Sequence, residues 1–399
     1  MPRRISARIC RLRPSATFKL DTAAKELQRQ GVDVISFALG EPDFPTPKHI
    51  CDAAAEAMAA GKTKYTPAAG IPELREAVAA KLSMDLGHEY KPSQVVISNG
   101  GKHALMNVWQ CILEPGDEVV IISPYWVSYA DQVELCNAVP KVIPTAADTD
   151  FQPDLDDVRA ALSARTAAIL INSPSNPTGA VLDRGVIEAM AEMALEVDAW
   201  IVSDEIYRHI LFDGRSHFSA ALVSDEVRAR TIICDGVSKT YSMTGWRIGW
   251  LVAPEEVAKA AGNLQGQETS NPNSIAQWAA LAALQGPQDC VEQMRAEFER
   301  RRDYIIKALE EIEGIKISRP GGAFYAFPEV SSFLDGRLKH NGEPIRDDLT
   351  FCEYLLTAAR ISVVPGSAFG ADGYVRFSFA TGLERIQEGL SRFRAALQT

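Results

Sequence analysis

Six short runs of consecutive apolar residues punctuate the chain up to residue 252: Gln94–Ser98, Glu118–Ile122, Ala168–Asn172, Trp200–Asp204, Thr231–Asp235 and Arg247–Val252. None of them alternates apolar with polar positions. A strand with one wet face alternates, whereas a strand buried on both faces does not. The runs therefore predict an α/β fold with a mainly parallel central sheet and helices on both faces. Segments between them, such as Ile71–Leu82 and Arg184–Glu196, predict the helices. In such sheets ligands bind outside the carboxyl ends of the strands. The polar residues that follow each run are the ones to read for chemistry.

The pattern changes after about residue 290. Arg295–Ile312 predicts a long charged amphipathic helix, and short strands are expected around Ala323–Phe327, Ile361–Val364 and Tyr374–Phe379. This predicts a smaller α+β domain. The division expected is an N-terminal arm and small-domain part over 1–47, a large domain over 48–290 and a small C-terminal domain over 291–399. The polar stretch Ser331–Asp348 reads as an exposed loop or insertion.

Composition narrows the partners. The 399 residues are 46% hydrophobic and 23% charged, an ordinary globular balance. A formal net charge of −11 repels phosphate backbones and anionic lipid, which argues against nucleic acid and membrane partners. No apolar run approaches the roughly 20 residues of a membrane helix. The cysteines, at 10, 51, 111, 136, 234, 290 and 352, form no Cys-x-x-Cys pair and suggest free thiols in a reducing compartment. The histidines are isolated, so no metal cluster is expected. Arg3, Arg4, Arg8, Arg11 and Arg13 form a basic arm rather than a leader, and a cytoplasmic protein is expected.

The residues after the strands carry the chemistry. Lys239 follows the run ending at Asp235, with Arg247 eight positions later. A lysine there is either a solvated loop residue or the partner of an aldehyde cofactor in a Schiff base, with the arginine on that cofactor's phosphate. Asp204 ends another run. It reads as a helix cap or as the ion-pair partner of a pyridinium nitrogen, which lets the ring accept electrons. Tyr207 offers a phenol to the ring oxygen, or is a core aromatic. Gly100-Gly101-Lys102-His103 opens a helix whose N-terminus suits a phosphate, though Gly-Gly turns are common. Asn176 lies in the rigid turn Asn172–Gly179, and Trp126 follows a strand with a face fit for stacking. Arg376 lies inside an apolar strand. An unpartnered buried guanidinium is costly, so either a salt bridge or a substrate carboxylate is expected there.

Together these segments resemble the class I aminotransferases, pyridoxal-phosphate enzymes of fold type I, and within them the bacterial I-gamma aspartate aminotransferases. The resemblance runs from Pro14-Ser15-Ala16-Thr17 to Arg376. It is carried by Gly40-Glu41-Pro42-Asp43, Lys64–Gly70, Asn176-Pro177-Thr178-Gly179, Ser203–Tyr207 and Ser238-Lys239-Thr240.

The resemblance implies pyridoxal 5'-phosphate held by Lys239 as an internal aldimine, with Lys239 also moving the substrate proton. It implies Asp204 on the pyridine nitrogen, Tyr207 and Asn176 on the ring oxygen, and Trp126 on the ring face. Gly101, Lys102 and Arg247 would bind the phosphate, with Tyr65 reaching in from the other subunit of a homodimer. Gly40 and Arg376 would receive the α-carboxylate. The activity implied is a ping-pong transfer between aspartate, or a similar amino acid, and 2-oxoglutarate, with a prephenate or aromatic aminotransferase and a β-lyase as the alternatives. Lys102 is implied in reading a distal carboxylate, and Arg13 stands where prephenate users carry a lysine. Gly236 stands three residues before Lys239, where many relatives have a phosphate-binding serine, so Arg247 is expected to carry more of the phosphate grip.

Overall fold

The computed structural model describes residues 5–10, 12 and 16–398, with backbone alone for residues 7 and 16–21. Arg13, a candidate from the sequence, lies outside the described residues. Seven strands form the main sheet: β1 (Val95–Ser98), β2 (Glu118–Ser123), β3 (Val139–Pro144), β4 (Thr166–Asn172), β5 (Trp200–Asp204), β6 (Thr231–Gly236) and β7 (Gly249–Val252). Their order is β1-β7-β6-β5-β4-β2-β3. All neighbours are parallel except β7, which runs against both β1 and β6.

The continuous apolar runs are explained by what covers them. Val119, Ile121, Leu170 and Val202 point to one core with Val108 and Trp109. Val120, Ile169, Ile171 and Ile201 point to another with Ile187, Met190 and Met193. Successive residues of a strand face opposite ways, so both faces are dry and the run need not alternate. The helices over them include α1 (Pro72–Leu86), α2 (Gly101–Ile112), α3 (Ser128–Leu135) and α4 (Arg184–Glu196).

Four details differ from the sequence-based expectation. The β3 strand is one that the apolar runs do not predict. It is an edge strand with Pro140 and Pro144 and half-exposed positions, where proline is tolerated. Arg247 is not part of a strand: it has φ 56° after the 3-10 turn Thr244–Trp246, and β7 starts at Gly249. The expected helix Ile71–Leu82 is α1, which runs four residues further to Leu86. Ser331–Asp348 is pinned rather than free. It carries a short turn at Ser331–Phe333 and a ribbon pairing Lys339–His340 with Glu343–Pro344, while Phe333, Leu338 and Ile345 are buried.

A second antiparallel sheet, ordered β9-β10-β8, is built from β8 (Tyr325–Ala326), β9 (Val364–Pro365) and β10 (Val375–Ser378). The long helix α5 (Asp289–Glu310) packs over it, and Phe37, Phe298, Phe324, Phe377 and Phe393 form its core. Tyr207, Ile210 and Phe212, from the chain just after β5, insert into the same core. That insertion brings β8 and β10 against the carboxyl edge of the main sheet.

Candidate active site

Five strand ends, of β1, β2, β4, β5 and β6, and one strand start, of β7, meet at that edge. Asp204 is the last residue of β5 and is 5% exposed. Its Oδ2 accepts a 2.7 Å hydrogen bond from the Tyr129 phenol, and its Oδ1 accepts one from the Ile206 N–H at 3.2 Å. Burial raises its pKa to about 6 against those two bonds.

Lys239 sits in the one-turn helix Val237–Thr240 that follows β6. Its Nζ donates to the Gly40 carbonyl at 2.5 Å. Desolvation lowers its pKa to about 8. Glu41 and Asp204 pull it upward, while the Arg376 and Arg247 charges push it down. An amine in this state is partly neutral near physiological pH and can act as a nucleophile.

Opposite the lysine, three segments converge at glycines. Gly249 pairs with Ser98 and with Gly236, and a Cβ on Gly249 would strike the backbone of Gly100 and Gly101. Gly100 has φ 85°, and a Cβ there would collide with the Arg247 guanidinium. The N–H groups of His103 and Ala104 bond the Gly100 carbonyl, while those of Gly101 and Lys102 have no acceptor among the described residues. Arg247 donates, among the described residues, only to the Thr244 and Asn99 carbonyls, at 3.0 and 3.3 Å. Two free N–H groups at a helix start beside an arginine without a carboxylate form a cradle for an anion. Gly236 could not carry a serine without displacement, since its Cβ would lie 2.8 Å from Gly249 Cα.

Arg376, on β10, is 3% exposed and makes no ion pair among the described residues. Its Nη1 donates to Asn176 Oδ1 at 2.9 Å and its Nη2 to the Ala38 carbonyl at 2.6 Å. Its Nε has no partner. The guanidinium lies 4.6 Å from the Tyr325 ring centroid and 4.9 Å from that of Phe369. A buried cation answered only by neutral oxygens and aromatic faces remains able to take a carboxylate.

The chain matches the family model for aminotransferases of class I and II over residues 32–393. It belongs to that family. An aspartate aminotransferase of Bacillus sp. strain YM-2 is 44% identical, covering 97% of both chains. An aspartate/prephenate aminotransferase of Thermus thermophilus is also 44% identical, over 99% of both. Among solved structures, a Thermus thermophilus aspartate aminotransferase with maleate superposes with a TM-score of 0.92 at 43% identity, covering 99% of this chain and 100% of that one. A Rhizobium meliloti aspartate aminotransferase gives 0.94 at 39%, over 99% of both.

The structure of this aminotransferase gathers Lys239, Asp204, Tyr207, Asn176, Arg376 and Gly40 on one side and Gly101, Lys102, Arg247 and Trp126 on the other. Lys102 Nζ lies 4.8 Å from the Trp126 ring, and both burial and Arg247 lower its pKa. Tyr65 stands apart, 90% exposed. Two residues of this cluster escape a reading of the sequence. Tyr129 holds Asp204, and Tyr325 places its hydroxyl 2.8 Å from that of Tyr207. The only hint to Tyr129 is its place three residues after Trp126, one turn along a helix start. Among the described residues no group of His, Cys, Asp and Glu could hold a metal ion, and no helix is long and apolar enough to cross a membrane.

Proposed function

We propose that the chain transfers the amino group between aspartate, or a similar amino acid, and 2-oxoglutarate, with pyridoxal 5'-phosphate held at Lys239. The observation that carries this reading is the pairing of a desolvated lysine amine with a buried arginine that has no carboxylate partner among the described residues. The residues fit the cofactor. The free N–H groups of Gly101 and Lys102 with Arg247 suit its phosphate, Asp204 suits a protonated ring nitrogen, and the Trp126 face suits the ring.

Bound pyridoxal phosphate supplies an aldehyde to take the amino group and a ring to accept electrons as the α-carbon loses its proton. The chain's own residues do the rest. Arg376 grips the α-carboxylate through its planar fork, with the Gly40 backbone beside it. Asn176 has its Oδ1 fixed by Arg376, which leaves its amide N–H groups, together with the Tyr207 phenol, for the ring oxygen. Lys239, whose amine is partly neutral near physiological pH, would take the α-proton at Nζ and return it. The buried setting keeps water from competing for these bonds.

Lys102 is the group in this reading that answers a distal carboxylate, and the maleate in the Thermus thermophilus neighbour is a dicarboxylate. Tyr65, projecting from the protomer, serves the other subunit of a homodimer. The seven unpaired cysteines fit a cytoplasmic protein.

The test is an assay with aspartate and 2-oxoglutarate beside one with cystathionine. Glutamate is the expected product of the first; pyruvate and ammonia without glutamate would sink the reading in favour of a β-lyase. Lys102→Gln is expected to reduce turnover of aspartate more than that of a neutral amino acid, and equal losses would remove Lys102 from substrate choice. Prephenate is the second acceptor to try, because the relatives include aspartate/prephenate aminotransferases.

A further inference from the structure

Asp204 is nearly sealed from water at the end of β5, yet no cation lies within ion-pair distance of it among the described residues. The titratable groups that face it are Lys239, Glu205, Tyr207, Cys234, Asp235 and Tyr129. Glu205 and Asp235 are acids, and Glu205 is committed to His217 at 2.9 Å. Lys239 is itself partly neutral. Direct support for the carboxylate comes from one backbone N–H at 3.2 Å and one phenol at 2.7 Å. The phenol is the shorter bond. Tyr129 is 2% exposed, and burial together with the neighbouring Asp204 charge keeps its proton on, so it donates. Its ring meets the Trp126 ring edge to face, 5.4 Å between centroids. Tyr129 thus ties the carboxylate to the aromatic wall of the site.

We propose that Tyr129 is a positioning residue which keeps Asp204 ionised and aimed into the crevice, so that the strength of the Asp204 grip on a protonated ring nitrogen is set by this phenol. The proposal rests on the pyridoxal-phosphate reading above for its ligand, while its statement about Asp204 stands on the chain alone.

The experiment has two arms. In the cofactor-free chain, the titration of the Asp204 carboxyl is followed by carbon NMR, with Asp204→Asn identifying the signal. Tyr129→Phe is expected to move the midpoint up by about one unit, the effect of one lost hydrogen bond to the charged form. Incorporating 2,3-difluorotyrosine at position 129, a stronger donor of nearly the same shape, is expected to move it down. In the second arm, the dissociation constant of pyridoxal phosphate at about pH 5, below both midpoints, is expected to rise about tenfold in Tyr129→Phe and not at all when the same change is made in Asp204→Asn. An unmoved Asp204 titration, or equal weakening in both backgrounds, overturns the proposal. Failure of the cofactor reading gives a different result, namely no Lys239-dependent binding of pyridoxal phosphate by the unaltered chain, with the first arm still able to decide Tyr129. Circular dichroism on each variant separates loss of fold from loss of the bond, and the difluorotyrosine chain decides the role of Tyr129 if Tyr129→Phe does not fold.

Discussion

The hydroxyls of Tyr207 and Tyr325 lie 2.8 Å apart, joining the segment that follows β5 to the second sheet. The Tyr325 hydroxyl also occupies the space that a side chain on Gly40 would need, 2.6 Å from its ideal Cβ. Gly40→Ala is therefore expected to push Tyr325 off Tyr207 and to lower kcat/KM by about tenfold or more. Combined with Tyr325→Phe, which removes the clashing oxygen, the alanine should cost clearly less than it does alone. Steady-state kinetics of the four chains form the cycle, and simple additivity would show that the two positions do not share this space.

On the proposed reading, Arg376 takes the α-carboxylate through both prongs of its guanidinium. Arg376→Lys keeps the charge and loses the fork. We expect kcat/KM to fall about 100-fold, roughly the 3 kcal/mol of a pair of charge-assisted bonds reduced to a single point contact. Melting temperature and cofactor absorbance should change little. A variant with near-native kcat/KM would place the α-carboxylate elsewhere.

The state of Lys239 predicts a pH dependence. Its pKa is lowered to about 8, so below that pH the amine is protonated and above it neutral. Only the neutral amine attacks an aldehyde. Uptake of pyridoxal phosphate by the cofactor-free chain, followed by stopped-flow absorbance, is expected to accelerate as pH rises through about 8 and then level. A profile that keeps rising to pH 10 would mean that burial does not depress this lysine.

Asp235 gives a prediction about stability rather than activity. It is 6% exposed, and burial raises its pKa to about 8, against the Arg208 charge and the Gly236 N–H. The unfolded chain releases this proton near pH 4, whereas the folded chain holds it until about 8. The carboxyl therefore weighs against folding increasingly as pH climbs through that window, and the penalty is constant above it. Asp235→Asn is expected to stabilise the fold by about 1–3 kcal/mol at pH 8 and by almost nothing at pH 4.5. Urea unfolding at the two pH values measures the difference. A loss of stability at pH 8 would show that the charged form is welcome there.

Much of this is legible in the chain. The strand Trp200–Asp204 and the helix Arg184–Glu196 have the boundaries that their apolar patterns predict. Lys239, Asp204, Asn176 and Arg376 carry a signal because a polar group directly after, or inside, an apolar run needs a reason. Tyr325 carries none, and Tyr129 only its spacing from Trp126. A tyrosine in an apolar segment looks like core, and only the fold shows what its hydroxyl meets, 75 residues away for one pair and 118 for the other. Arg247 looks like the start of a strand because Ile248 and its successors are apolar. The turn before it shows only in the backbone, where φ is positive.

The one reversed strand of the main sheet has a mechanical consequence. Because β7 begins where β1 and β6 end, the chain passes from Lys239 to Arg247 without crossing the sheet. A parallel strand in that slot would demand a helical crossover of a dozen residues or more between them. The eight-residue step thus works as a ruler: its length fixes how far the amine stands from the guanidinium. Length changes inside it would be felt at both ends at once.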